Sequence, residues 1–317
     1  MVLEELNRQE EGTSFFWDRD RVGNYQDAPL LLPIATFGGG KRTVYVTKHS
    51  RRFPACEHMH DSFDVIYVVR GVCRHRLFHQ ELLMQAGDLC LLSPYVPHSV
   101  YAEKGSIAVK ILISGGAIER VFSITHHSSD VVSDFLRNSV YTKSYSSYLL
   151  FHTEDDEEIL DMILDMYMEE LNPDEYADRI ITHMLMIFFI KLIRKYRRTA
   201  QSLSSPVQKD KSEDASRILR YIEENYATAS LAEMADLLNY SVPHCSKYVK
   251  QCVGCSFSEL QKRIRLQKAT DYLSNTSLGI EQIGERIGYA NPENFIRMFK
   301  KEQGVSPSQF RAGEQGA

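Results

Sequence analysis

Apolar and polar residues follow two different rhythms along this 317-residue chain, and the change falls near residue 200. Between about residues 43 and 113, β-branched and aromatic residues come in strand-length runs: TVYVTKH, DVIYVVRG, CRHRLFH, DLCLLSP and IAVKILISG. Turn signals at Pro54, Gly71, Gly87-Asp88, Pro94 and Gly105 separate them. Short strands at this spacing predict a sandwich or small barrel. The rhythm then lengthens, and residues 154–171 and 174–198 are predicted as amphipathic helices parted by Asn172-Pro173. Their apolar positions include Ile159, Leu160, Ile163, Leu164, Tyr167, Ile180, Met184, Ile187, Phe188 and Ile193. Such faces need burial against the β region, each other or a second subunit. The stretch QSLSSPVQKDKSED has the Ser, Pro and charge content of a linker. From Asp214 onward helix signals dominate, and no strand is expected.

The helical third repeats one small design. Ser230 is placed to cap a helix reading LAEMADLL, Asn239-Tyr240-Ser241 supplies a turn, and Pro243 opens a second helix in a first-turn position that proline favours. Further on, IEQIGERI is followed by Gly288-Tyr289-Ala290-Asn291, and a helix reading PENFIRMFKKEQ starts at Pro292. Short helix, tight turn, helix is the arrangement that lays a second helix in a major groove. Between the two units, residues 256–274 are predicted as one unbroken helix. At 1.5 Å per residue it is a rod of about 28 Å, a length that can hold two recognition helices about one DNA turn apart. On the first recognition helix Cys245, Tyr248 and Val249 suit the core, leaving Pro243, Ser246 and Lys247 outward and Lys250 available to phosphate. On the second, Phe295, Met298 and Phe299 face inward. Glu293, Asn294 and Arg297 project toward the groove, with Lys300 and Lys301 beside the backbone. Asn pairs with adenine and Arg with guanine, whereas lysines near helix ends anchor phosphate.

Charge narrows how DNA could be held. Lys and Arg number 37 against 42 Asp and Glu, a net charge of −5, so contact must come from a local patch rather than bulk charge. A hydrophobic content of 43% supports real cores, and the length suits two domains. Six dispersed cysteines are expected as reduced thiols, and Cys252-Val253-Gly254-Cys255, with no second pair nearby, is read as structural. The start, MVLEELNRQEEG, is not expected to be a signal peptide, and the apolar run at 184–190 is too short to span a bilayer. A cytoplasmic protein with no membrane segment is the expectation.

Residues 263–311, RIRLQKATDYLSNTSLGIEQIGERIGYANPENFIRMFKKEQGVSPSQFR, resemble the DNA-binding domain of the AraC/XylS transcription regulators. The resemblance is carried by Arg265-Leu266, Lys268-Ala269, Ile283, Gly288-Tyr289, Phe295, Phe299-Lys300, Gly304, Ser306-Pro307 and Phe310-Arg311. The first unit adds Leu231, Leu237, Tyr240-Ser241, Lys250 and Gly254, and departs from the family at Cys245 and Val249, where larger apolar residues are usual. The likeness covers residues 214–311. It implies a sequence-specific regulator of double-stranded DNA, more often an activator, working with RNA polymerase and as a homodimer.

The β region, through EHMHDSFDVIYVVRG and QAGDLCLLSPYVPH, resembles the cupin-like sensor domain attached to many of these regulators. Metal-binding cupins draw two His, a Glu and a later His from this arrangement. Here His58, His60 and His98 are present and Asp64 stands in for the Glu, one methylene shorter. Such a set suits Fe, Zn, Mn or Ni. The family's sensor domains commonly keep remnants of the motif without metal and use the pocket for a small effector. The expectation is therefore an effector pocket with no resident metal or catalytic group. It would be lined by His58, His60, Asp64 and His98, with Tyr67 and Arg70, and its effector is a small molecule such as a sugar. A metal-dependent cupin enzyme and a metal-responsive regulator are the alternatives. The fold expected is α+β: a cupin-like β-barrel with helices over residues 1–200, a linker at 201–213, and an all-α domain with two helix-turn-helix units over 214–317.

Overall fold

A computed structural model describes residues 29–35, 42–49, 56–78, 80–125, 130–142, 147–204 and 209–315. The leader reading at residues 1–12, the turn at Pro54 and positions 205–208 of the expected linker lie outside these residues. The chain divides into two units, one of Met1–Val140 with Ser146–Gln208, the other of Tyr141–Tyr145 with Lys209–Ala317.

The first unit is built on two sheets. One runs β1 (Leu30–Leu31), β3 (His58–Met59), β8 (His98–Ala102), β5 (Val72–Leu77), β6 (Gln80–Gln85). The other runs β11 (Gln201–Ser204), β10 (Ser147–His152), β7 (Asp88–Leu92), β4 (Phe63–Arg70), β9 (Ile107–Ile113), β2 (Val44–Lys48). The β1–β3 pair is parallel and the other pairings are antiparallel. Strand periodicity decides what points inward. In β5, Cys73, His75 and Leu77 are buried while Arg74 and Arg76 are exposed. Every residue of β9 is buried, so both its faces are covered. The interior is a cluster of Ile66, Val68, Cys73, Leu77, Met84, Cys90, Leu92, Val100 and Ala108, with others. The β4–β5 turn closes on Gly71 at φ 78°, where an added Cβ would stand 2.4 Å from Ser106 Oγ.

Helices α1 (Gly115–Thr125) and α2 (Val131–Tyr141) precede β10, and α3 (Glu157–Leu171) and α4 (Ala177–Tyr196) follow it. Helix α3 starts later than its apolar pattern suggests because Asp156 caps it, accepting from the amides of Glu158 and Ile159. The pair α3–α4 packs together and over β2. Arg42 pairs with Glu170, and Asp178 accepts from the Thr43 amide at 2.9 Å. The start of the expected linker is a strand: 201–204 pairs with β10, Leu150 opposite Gln201. No described helix is long and apolar enough to cross a membrane.

The second unit is helical throughout its described residues: α5 (Lys209–Glu224), α6 (Leu231–Leu237), α7 (Val242–Val253), α8 (Phe257–Asn275), α9 (Ile280–Arg286), α10 (Pro292–Gln303) and α11 (Pro307–Gln315). Its two helix–turn–helix pairs, α6–α7 and α9–α10, match in backbone detail. Asn239 and Gly288 take positive φ at equivalent turn positions, 55° and 90°. The following Tyr240 and Tyr289 amides donate to Ala235 and Gly284 carbonyls at 2.8 and 2.9 Å. Gly254 and Gly304 both end their helices left-handed, at 76° and 77°.

Candidate functional site

In the helical unit, burial sorts the recognition helices as periodicity requires. On α7, Cys245 and Val249 are fully buried and Tyr248 is half-buried, its hydroxyl donating to Asp214. Pro243, Ser246, Lys247 and Lys250 are exposed. On α10, Phe295 and Phe299 are buried among Ala269, Leu273, Ile283 and Ile287, with Met298 half-buried beside them. Glu293, Asn294, Arg297, Lys300 and Lys301 are exposed. Asn294 Oδ1 accepts from Arg297 Nη2 at 2.5 Å, so the two candidate base readers already brace each other. His244, which sequence reasoning passed over, is also exposed near the start of α7, its ring 4.4 Å from that of Tyr240. Its place one residue after Pro243 on the outward face was the signal.

Arg265, prominent in the sequence motif, does structural work. Its Nε donates to Tyr226 O at 2.7 Å and its Nη2 to Ala227 O at 2.8 Å, with the Tyr289 ring 5.5 Å away. It therefore ties α8 to the segment that follows α5. Cys252 and Cys255 are both buried and form no disulfide.

In the β unit, His58, His60 and His98 come together with one ring nitrogen each inside a 4.8 Å group. His58 and His98 are cross-strand partners in β3 and β8. Each ring is fixed by a backbone carbonyl accepting from Nδ1: Cys56 at 3.0 Å, Leu32 at 2.8 Å and Val96 at 2.9 Å for His58, His60 and His98. That choice of tautomer turns the Nε2 atoms of His58 and His60 inward as acceptors. Asp64 joins them, its Oδ2 3.1 Å from His98 Nε2 and 3.5 Å from His60 Nε2.

The structure adds two members. Lys110, from β9, places Nζ 2.9 Å from His60 Nε2, 3.5 Å from His58 Nε2 and 3.1 Å from Asp64 Oδ2. His75, from β5, is fully buried 5.4 Å from the His98 ring, and neither of its nitrogens has a hydrogen-bond partner. Both were visible in principle: Lys110 as the one charge in the apolar run IAVKILI, His75 as an inward position of an alternating strand.

The electrostatics follow from burial and that one lysine. Burial first, then the Lys110 charge, lowers His60 to about 3 and the neighbouring His49 to about 4. Burial, then His98 and Lys110, holds His58 well below the ordinary imidazole value. Burial pushes Asp64 up, but Lys110 and a hydrogen bond from His98 outweigh it and keep the carboxyl well below its usual range. The group thus holds an ammonium and a carboxylate beside the Nε2 acceptors of His58 and His60.

Tyr67 and Arg70 are not part of this group. Strand alternation puts Asp64, Ile66 and Val68 on the interior face of β4 and turns Tyr67 to the other, where it is buried and its hydroxyl meets Thr153. Arg70 lies exposed at the strand end, donating to Gly105 O at 3.2 Å.

The fold resemblance raises a metal, and Lys110 bears on it directly. A divalent ion among the three Nε2 atoms would sit within about 4 Å of the ammonium, a repulsion of about 8 kcal/mol at an effective dielectric of about 20. The residues do not fit a resident metal with Lys110 in this place.

Comparison with known proteins agrees with both halves. Residues 43–185 match the family described as AraC-like ligand binding domain, and residues 234–313 match a helix-turn-helix domain family. The chain is similar to the HTH-type transcriptional regulator YtdP of Bacillus subtilis, 37% identical over 82 residues, which are 26% of this chain and 11% of that protein. It is also similar to the HTH-type transcriptional activator RhaS of Escherichia coli, 21% identical over 293 residues, 90% of this chain and 98% of that one. Among solved structures, the C-terminal domain of the response regulator AraT from Geobacillus stearothermophilus is 38% identical, covering 31% of this chain and 84% of its own, at a TM-score of 0.30. An apo ToxT variant from Vibrio cholerae is 16% identical, covering 85% of this chain and 97% of its own, at a TM-score of 0.36. With its N-terminal half matched as a ligand-binding domain and its C-terminal third as a helix-turn-helix domain, the chain belongs to the AraC family of transcription regulators.

Proposed function

We propose that the chain is a cytoplasmic, effector-responsive transcription activator that reads a specific DNA site with α7 and α10 and has no catalytic role. The observation that carries the reading is the doubled helix–turn–helix, each second helix presenting exposed polar residues over a buried aromatic or aliphatic face. Helix α8, with 19 residues and a length of about 28 Å, is long enough to hold the two for successive major grooves. Pro243, Ser246, Lys247, Glu293, Asn294 and Arg297 are the proposed groove-facing residues, and Lys250, Lys300 and Lys301 the phosphate contacts. Double-stranded DNA and RNA polymerase are the macromolecular partners.

The effector is a small organic molecule, and the group of His58, His60, Asp64, His98, Lys110 and His75 is its proposed site. His75 supports this: a buried imidazole with both nitrogens unpaired has lost about 1–3 kcal/mol of hydration per group, which a polar ligand would restore. A homodimer is proposed through α4, where Tyr176, Ile180, Ile187 and Ile190 form an exposed apolar stripe at helical spacing, Ile187 being 50% exposed. A metal-dependent enzyme on this barrel is disfavoured by the lysine among its histidines. Two assays test the proposal. Selection from a randomised duplex library should enrich one motif, and no enrichment would reject the DNA-reading half. A small molecule found by thermal-shift screening should lose its shift in both His60→Ala and His98→Ala, and a shift kept by both would move the effector elsewhere.

A further inference from the structure

Lys110 is a charged residue in the middle of a strand that is otherwise apolar and buried on both faces. A buried ammonium must find partners for its three protons. The nearest acceptors are His60 Nε2 at 2.9 Å, Asp64 Oδ2 at 3.1 Å and His58 Nε2 at 3.5 Å. Two imidazoles and a carboxylate are also what a first-row metal would select, and the Nδ1 atoms are anchored on backbone carbonyls as in metal-ligating histidines.

We infer that the Lys110 ammonium is the resident cation of this barrel, held where a metal ion would be held, and that removing it turns His58, His60 and His98 into a site for a divalent transition metal. The lysine is inseparable from the chain, so the interior keeps its positive charge whatever the metal supply. Without Lys110, the buried carboxylate loses its counter-charge and the Nε2 atoms of His58 and His60 lose their donor. A divalent ion would restore both. The inference deepens the effector-site reading, because an effector entering here meets hydrogen-bond donors and acceptors rather than a Lewis acid, and regulation by a metal held at this group is disfavoured.

The test is cobalt(II) titration of untagged full-length protein, stripped with chelator, followed by visible absorption and bound-metal analysis. The wild-type chain should show no stoichiometric uptake. Lys110→Ala and Lys110→Gln should each take up one equivalent, at least about a hundredfold more tightly than wild type, with ligand-field bands of a low-coordinate site. Adding His60→Ala or His98→Ala to either should abolish uptake. Wild-type protein that binds one equivalent and loses it in His60→Ala would overturn the inference, as would folded Lys110 variants that bind none. Lys110→Gln keeps most of the volume if Lys110→Ala fails to fold, and the wild-type titration decides alone if both fail. Neither readout involves DNA, so a failure of the regulator reading would appear separately, as the absence of a selected motif.

Discussion

Gly288→Ala should cripple the second helix–turn–helix, by an amount that the structure lets one build from parts. Gly288 sits at φ +90°, a conformation that costs a residue with a Cβ about 1–2 kcal/mol. The new methyl would also stand 2.3 Å from Ala227 O, 2.8 Å from Ala227 Cα and 2.8 Å from Arg265 Nη2. Two of these are backbone atoms, so relief requires moving the chain after α5. That movement strains or breaks the 2.7 and 2.8 Å bonds from Arg265 to Tyr226 and Ala227, charged-donor bonds worth about 1.5–3 kcal/mol. The sum is about 3–5 kcal/mol, the range reserved for strained or clashing core sites. Gly304→Ala is the control: its φ is +77°, but nothing lies within 4 Å of the added atom, so it should lose only about 1 kcal/mol. Urea unfolding of residues 206–317, monitored by circular dichroism, measures both. Equal losses for the two variants would refute the claim that Gly288 is required by packing as well as by backbone angle.

Stability should fall on acidification. His49 and His60 titrate near 4 and 3 when folded but near 6.5 when unfolded, so the unfolded chain takes up protons first, stability is full above about pH 6.5, and it drops as pH falls toward those folded values. At about pH 5 the loss should be about 2 kcal/mol per histidine, read as a lower urea midpoint for the full chain, and an unchanged midpoint would mean these imidazoles are not held neutral. Ile187→Glu, at an exposed position of α4, should leave the melting temperature near wild type while shifting sedimentation from dimer to monomer and weakening operator binding through lost avidity. Unchanged sedimentation would remove α4 from the interface.

The recognition helices were legible in the sequence because two independent patterns coincide there: helical periodicity of apolar residues and turn chemistry at Asn239 and Gly288. Strands rich in Val, Ile and Leu, such as β4 and β9, were equally plain. Strand β6 (QELLMQ) was not, since only Leu82 and Met84 turn to the core while Leu83 on the outward face breaks the alternation, and β11 (QSLS) was not, since a short, mostly polar run carries no strand signal of its own. Helices α1 and α2 also went unread, α1 opening on two glycines that argue against a helix. At the barrel site the histidines announced themselves by spacing, but membership depends on facing. Tyr67 lies three residues from Asp64 and so points the opposite way, while Lys110 joins the site only because β9 pairs with β4, Ile66 opposite Lys110. Long-range register of that kind leaves little mark on local sequence.

The central claim is sequence-specific reading of DNA by the outward faces of α7 and α10. Randomised-site selection with wild type, Arg297→Ala and Lys300→Ala tests it most directly, because the two residues lie on one helix with different assigned roles. Wild type should select a defined motif. Arg297→Ala should flatten preference at one base position, where a bidentate guanine contact supplies about 1–3 kcal/mol of discrimination. Lys300→Ala should weaken all sites alike and lower the salt dependence by about one unit of slope. A wild-type chain that selects no motif would contradict the account, and an unchanged motif in Arg297→Ala with merely lower affinity would reduce α10 to a backbone clamp and leave base reading to α7.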